Sequence, residues 1–301
     1  MTISASAAEG TASGSYLFDL ADFTGSIPFG SVAVSLDDER NEVYVCDMSQ
    51  RSVRVFNDQG MEIFRFGENE DMGAMYDLAV QENGDILLLS YRRNIDTEAV
   101  LIRCNYRGEP VARFGISGLP EEFSRLRPYR LLLHEGRLFL ADLHNMLVVE
   151  TTLDGTFVEG HDLGASVGFS RQEVASAGMG GFDIDAEGNF LFSVPVMFKV
   201  FRIAPGGEGK GFGEAGSTPG KFGVVSGIAA GRNGEIYVVD TLRCVVMAFD
   251  ANFRLLTEFG YRHAGPGGLA APRGLAVSKS EKVYVTQSSK RGVSVFRINY
   301  N

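Results

Sequence analysis

Apolar residues in this chain fall into short runs broken by turn formers, and the runs recur in a fixed order. VYVCD, ILLLS, LFLAD, FLFSV, IYVVD and VYVTQ form one class, and SVRVFN, VLIRCN, MLVVET, FKVFRI, CVVMAF and GVSVFR follow them as a second. Each is of strand length, and turns such as NDQG, NYRG, LDG and APGG follow, which predicts antiparallel strands. Ahead of each pair lies a further run: SVAV from Ser31, DLAV from Asp77, RLLL from Arg130, GFDI from Gly181, GIAA from Gly227 and GLAV from Gly274. A fourth run ends in Phe66-Gly67, Phe114-Gly115, Leu163-Gly164, Phe212-Gly213 and Phe259-Gly260. The first runs start 46 to 53 residues apart. The chain is therefore six copies of a unit of about 48 residues.

Four short strands per unit predict an all-β fold, a six-bladed β-propeller of four-stranded blades. A blade cannot bury both faces alone, so the units must stack and close a ring. The sixth unit stops at VSVFRINYN, after its third strand, while SYLFDLADF (15–23) is an apolar strand that belongs to no unit. We expect residues 15–23 to supply the missing fourth strand near Val293 to Ile298, which closes the ring and covers open sheet edges. The expected organisation is a flexible N-terminal segment, 1–14, followed by one domain, 15–301. The glycine-rich stretch GFGEAGSTPGKFG (211–223) fits as punctuation. A phosphate-cradling loop needs Gly-Lys followed by Ser or Thr and then a helix. Here Phe222 follows Gly220-Lys221, Gly211 follows Gly209-Lys210, and strands come next.

The order G-[IL]-A-V, turn, [IV]-Y-V-x-D, R-V-x-V-F and F-G resembles the NHL-repeat family of six-bladed propellers. The match is close in VYVCDMSQRSVRVF, GIAAGRNGEIYVVD and GLAVSKSEKVYVT, loose in the second to fourth units, and spans residues 15 to 298. That family contains protein-binding and RNA-binding modules, and related six-bladed propellers include metal-dependent hydrolases and lyases. Fold alone does not choose among them.

Net charge is −10 and pI about 5.0, which argues against sequence-independent nucleic-acid binding, since that relies on neutralising phosphates, and leaves room for a local basic patch. No run approaches the about 18 apolar residues of a membrane span. The first fourteen residues lack the basic start and apolar run of a signal peptide. Cys46, Cys104 and Cys244 lie on apolar runs without C-x-x-C spacing, which suggests reduced thiols and a cytoplasmic location.

Chemistry-bearing positions are few. Asp47, Ser90, Asp142, Ser193, Asp240 and Thr286 close the second strands. They could ring the channel and hold a cation, but one acceptor per blade reads better as a cap on the following loop. His134 falls in an inner turn and His161 and His263 in outer connections, while His144 lies beside Asp142. Asp183 stands where other units place Ala33, Ala79, Ala229 and Ala276, and would line the channel. No catalytic residue, metal site or cofactor is assigned.

The loops after the second strands hold Arg51, Arg92, Arg93, Lys199, Arg243, Lys290 and Arg291 against Asp96 and Glu98, a net of +5 on an acidic protein. Arg127, Arg130 and Arg273, on segments leading into first strands, share that rim. Met197 and Phe198 sit in an apolar loop of the fourth unit. The reading is a non-catalytic binding or scaffold propeller that docks an acidic protein segment through Arg51, Arg92, Arg93, Arg130, Met197, Phe198, Arg243, Arg273, Lys290 and Arg291. A hydrolase or lyase with a metal in the central channel, and an RNA-binding module, remain the alternatives.

Overall fold

Alternation along the second strand of each unit decides how the sheets stack. Val43 and Val45 point to one side of their sheet and Tyr44 and Cys46 to the other, and all four are buried. The first pair joins Tyr284, Val293 and Val295 of the sixth unit, and the second joins Met75, Leu78 and Leu88 of the second unit. Leu87 and Leu89 face onward to Leu131, Leu138 and Leu140 of the third unit. A strand apolar on both faces has to be covered on both. Six such clusters lie between the six pairs of neighbouring sheets.

The computed structural model describes residues 12–27, 32–68, 72–91, 98–204, 207, 209–288 and 292–300. Within them are six four-stranded antiparallel sheets, a six-bladed propeller. Inner strands are Val32–Asp37, Ala74–Val80, Arg130–His134, Gly181–Ile184, Val225–Ala230 and Pro272–Val277. Each lies against the inner strand of the next blade, and the sixth against the first, so the ring is closed around an axial channel.

Closure uses the N-terminal strand, Ala12–Asp19, antiparallel to Val293–Tyr300, with Ala12 opposite Tyr300 and Asp19 opposite Ser294. The strand runs earlier than residues 15–23. It takes in Ala12 to Gly14, assigned above to the N-terminal segment. It ends at Asp19 because Asp22 turns the chain, its Oδ1 accepting from Thr24 N at 2.7 Å. Ala21–Asp22 then pairs with Gly25–Ser26, and Phe23 is left 99% exposed.

Three further expectations need correction. After blade 3 the chain enters two short helices, α1 (Leu163–Ser166) and α2 (Arg171–Ala177), instead of carrying a strand through Leu163-Gly164. Asp162 caps α1, and Ser170 with Glu173 forms a capping box on α2. Leu163 is buried between blades 3 and 4, with Val174 against the same cluster. His161 belongs to the outer strand Phe157–Asp162 and not to a connection. Cys244 occupies the turn before Val245–Phe249 at φ 57°. All three cysteines are free and buried. No described helix is long and apolar enough to cross a membrane.

Candidate functional site

Where the inner strands begin, the repeat position held by Gly181, Gly227 and Gly274 closes the ring on blades 4 to 6. A Cβ on Gly227 would stand 2.7 Å from Arg273 O and Gly274 Cα, and one on Gly181 2.9 Å from Ile228 N. Blades 2 and 3 place Asp77 and Arg130 at that repeat position. Arg130 Nη1 donates to Asp77 Oδ2 at 2.9 Å. The same oxygen accepts from Leu131 N at 2.9 Å, and Oδ1 accepts from Leu78 N at 3.0 Å. Asp77 is 1% exposed. Burial raises its carboxyl pKa, with Arg130 opposing. Asp183 in blade 4, expected to line the channel, accepts from Ala230 N of the next blade at 2.8 Å. Its pKa is likewise raised by burial, and Arg130 again opposes. One guanidinium therefore serves carboxylates on both flanking blades.

Arg130 also lines two cavities along the axis. The outer one, about 350 Å³, opens at the rim and is walled by Met48, Tyr76, Tyr129, Leu143, Phe182, Leu275 and Arg273. The deeper one, about 160 Å³, lies along Asp77 and Leu131 to Leu133. Tyr76, Tyr91 and Tyr129 form an aromatic cluster at the mouth. Tyr76 meets Tyr91 at 5.3 Å and Tyr129 at 5.2 Å between centroids, both edge-on, within the favourable range for such pairs. Tyr91 Oη donates to Pro128 O at 2.9 Å, and burial pushes its pKa up. Tyr129 remains 41% exposed. Across the ring, Arg273 is exposed and donates from Nε to Ser288 Oγ at 3.1 Å.

The basic rim is more self-engaged than its composition implies. Arg243 makes a two-pronged ion pair with Glu258, Nη1 to Oε1 at 2.9 Å and Nη2 to Oε2 at 2.8 Å, which turns it back onto its own blade. Arg130 is on the mouth wall but paired to Asp77. Arg273 lines the mouth. Arg51 is half-buried in a left-handed turn at φ 54°. Arg92, Arg93, Lys290 and Arg291 lie outside the described residues. In the blade 4 loop Val196 and Met197 are exposed, while Phe198 packs against the core between blades 4 and 5.

The residues that close the second strands are bonded to backbone. Asp142 Oδ1 accepts from His144 N and Asn145 N, and Oδ2 from Arg127 N at 2.8 Å. Asp240 gathers Val224 N, Arg243 N and Gly223 N in the same manner. Asp47 accepts from Ser49 N and Gln50 N. Ser193 Oγ donates to Ser226 O, Ser90 Oγ to Met72 O, and Thr286 Oγ1 accepts from Gly274 N. The three aspartates cap the following loop as expected, whereas Ser90, Ser193 and Thr286 bond no group of that loop among the described residues. All but Asp47 tie the incoming chain, the inner strand or the next blade to the strand end. Asp142→Ala should then cost about 2–4 kcal/mol, since several backbone donors lose a charged acceptor at once. Urea denaturation checks this, and a loss below about 0.5 kcal/mol would remove the capping role.

Among the described residues one group of ligand-type atoms closes to metal-binding distance, Glu150, Glu159 and His161, all within 4.8 Å of one another. It sits on the two outer strands of blade 3, away from the mouth. Arg137 Nε reaches Glu150 at 3.5 Å, and Phe190 stands edge-on to His161 at 4.8 Å.

No protein-family model matches the chain, and no curated protein sequence matches it. Solved structures do. The streptogramin B lyase structure superposes with a TM-score of 0.60 at 15% identity, covering 96% of this chain and 97% of that one. A gluconolactonase from Xanthomonas campestris gives 0.62 at 14% identity, covering 96% and 90%. A luciferin-regenerating enzyme gives 0.61 at 10% identity, covering 96% and 95%. At such identities the likeness shows the shared six-bladed fold.

Proposed function

We propose that this chain is a non-catalytic binding propeller of NHL-repeat type that captures an anionic group at its axial mouth. The observation that carries the reading is the placement of Arg130 and Arg273, three blades apart, on the wall of one cavity. In a protein of net charge −10, two guanidinium-bearing side chains in a concave mouth attract anions that the rest of the surface repels. Among the described residues the Arg130 guanidinium is hydrogen-bonded only through Nη1, to Asp77. The rest of its planar fork can meet a carboxylate. The fold neighbours named as a lyase, a gluconolactonase and a luciferin-regenerating enzyme support the enzymatic alternative. Binding comes first because the carboxylates nearest the mouth, Asp77 and Asp183, are committed to Arg130 and to backbone N–H groups. A reducing, cytoplasmic setting fits the three free buried thiols.

Arg273→Glu tests the reading with little risk to the fold, since the residue is exposed. Affinity for monocarboxylates, measured by calorimetry, should fall at least about tenfold, while the Tm stays within the small range of surface substitutions. Unchanged affinity would dismiss the mouth as the anion site.

A second reading, an acidic protein segment docked on the same rim, is favoured by one observation. Val196, Met197, Val224 and Leu242, from the loops of blades 4 and 5, are all exposed on that rim. Apolar anchors beside basic groups suit a protein surface.

A further inference from the structure

We infer that the mouth takes an aromatic monocarboxylate, a flat ring system set against Tyr76, Tyr129 and Phe182 with its carboxylate toward Arg130 and Arg273. This inference rests on the anion-binding reading above and narrows it to a ligand class. Charge sets the first limit. Two cations line the cavity, but Asp77 already holds one prong of Arg130, at 2.9 Å. With Asp183 a second carboxylate facing Arg130, the mouth has at most about one unit of positive charge to offer, centred on Arg273, which suits a single anionic group better than a di- or triacid.

The wall sets the second limit. Apart from the two arginines it is made of apolar side chains, two tyrosine rings and inner-strand backbone. Besides the two tyrosine hydroxyls, its remaining polar side chain, Thr286, is already bonded to Gly274. A polyol entering such a site would find few side-chain partners for its hydroxyls, so a largely apolar body suits the site better.

Its shape follows from the aromatic groups. Tyr76 and Tyr129 meet edge-on, and Tyr91, anchored by Pro128 O, backs both and holds them in place. Tyr129 is 41% exposed although it belongs to this cluster, so ring surface is left for a further aromatic partner. Opposite, the inner-strand starts of blades 4 to 6 are glycines that let these strands pack closely, and Phe182, Ile228 and Leu275 beside them add apolar wall. A cavity of about 350 Å³ is at the small end of ligand sites and admits two fused rings.

The protein has no tryptophan and ten tyrosines, three of them in the cluster beside the mouth, so tyrosine emission reports on the site directly. The probe is 2-naphthoate. Binding should quench tyrosine emission and produce saturable energy transfer to the naphthalene ring. Cyclohexanecarboxylate and 2-naphthamide should each compete at least about tenfold more weakly. Tyr129→Leu should weaken naphthoate and leave cyclohexanecarboxylate unchanged, whereas Arg273→Gln should weaken both. Cyclohexanecarboxylate competing as well as the naphthoate would overturn the aromatic inference and leave anion binding standing. Naphthamide competing as well as the acid would overturn both, as would the absence of saturable transfer.

Discussion

Removal of residues 1–24 should leave a chain that no longer unfolds cooperatively. The deletion takes away the strand Ala12–Asp19 and with it every backbone partner on the outer side of Val293–Tyr300. It also strips burial. Leu20 is fully buried among Val34, Val43, Phe56 and Tyr284, and Ala12 lies in the cluster between blades 5 and 6. Tyr16 meets Phe296 edge-on at 5.8 Å, and Gly14 is the one residue type that lets Phe259 of blade 5 lie across the strand. At about 1.5–3 kcal/mol for a fully buried large apolar side chain, losing Leu20 and the half-buried Tyr16, Leu17 and Phe18 removes at most about 6–12 kcal/mol. That is comparable with the whole stability of a typical domain, about 5–15 kcal/mol. The exposed edge of the last sheet then becomes a template for aggregation. Urea titration followed by circular dichroism reads the outcome. A sharp transition with an unaltered midpoint would show that the ring does not depend on this strand.

Arg130→Met should be the most damaging single substitution at the mouth. It leaves the Asp77 carboxylate 1% exposed and without its cation, a situation that costs about 3–5 kcal/mol. The loss should depend on pH in a definite sense. Burial already raises the Asp77 pKa, and removing Arg130 raises it further. The folded protein then binds a proton more readily than the unfolded chain. Stability declines as pH climbs through the range above the ordinary carboxylate value, and returns on acidification. Asp77→Asn added to Arg130→Met should restore much of the loss at neutral pH. Equal destabilisation at acidic and alkaline pH would show that the cause is lost packing and not a stranded charge.

How far the sequence disclosed all this depended on whether a feature recurs. Strand order, sheet order and the closure of blade 6 were legible because period-two burial and a 46 to 53 residue spacing repeat along the chain. Features that occur once were harder to see. The ion pair of Asp77 with Arg130 was visible only as two departures from the residues at one repeat position, Ser31, Gly181, Gly227 and Gly274. Reading Arg130 as free rim charge missed that its neighbour in space is a whole unit away in sequence. The tyrosine cluster left a plainer trace, since Tyr76 and Tyr129 each precede such a start. Arg243 misled for a related reason, because its partner Glu258 sits on the outer strand of the same blade. Helix α2 carried a local signal, Ser170 three residues ahead of Glu173, hidden by the assumption that every connection is a turn.

The pairing of Ala12–Asp19 with Val293–Tyr300 also sets a schedule. During synthesis at about 5–20 residues per second, the first of these strands leaves the ribosome roughly 15–60 s before the second. Blades 1 to 5 can each assemble from contiguous chain as they appear, but the last sheet cannot be completed until Val293–Tyr300 has been made. Throughout that interval an apolar segment waits unpaired beside a growing, open-ended stack. Ring closure is therefore the final and longest-range step of folding, and the stage most exposed to chaperones and to strand exchange between neighbouring nascent chains.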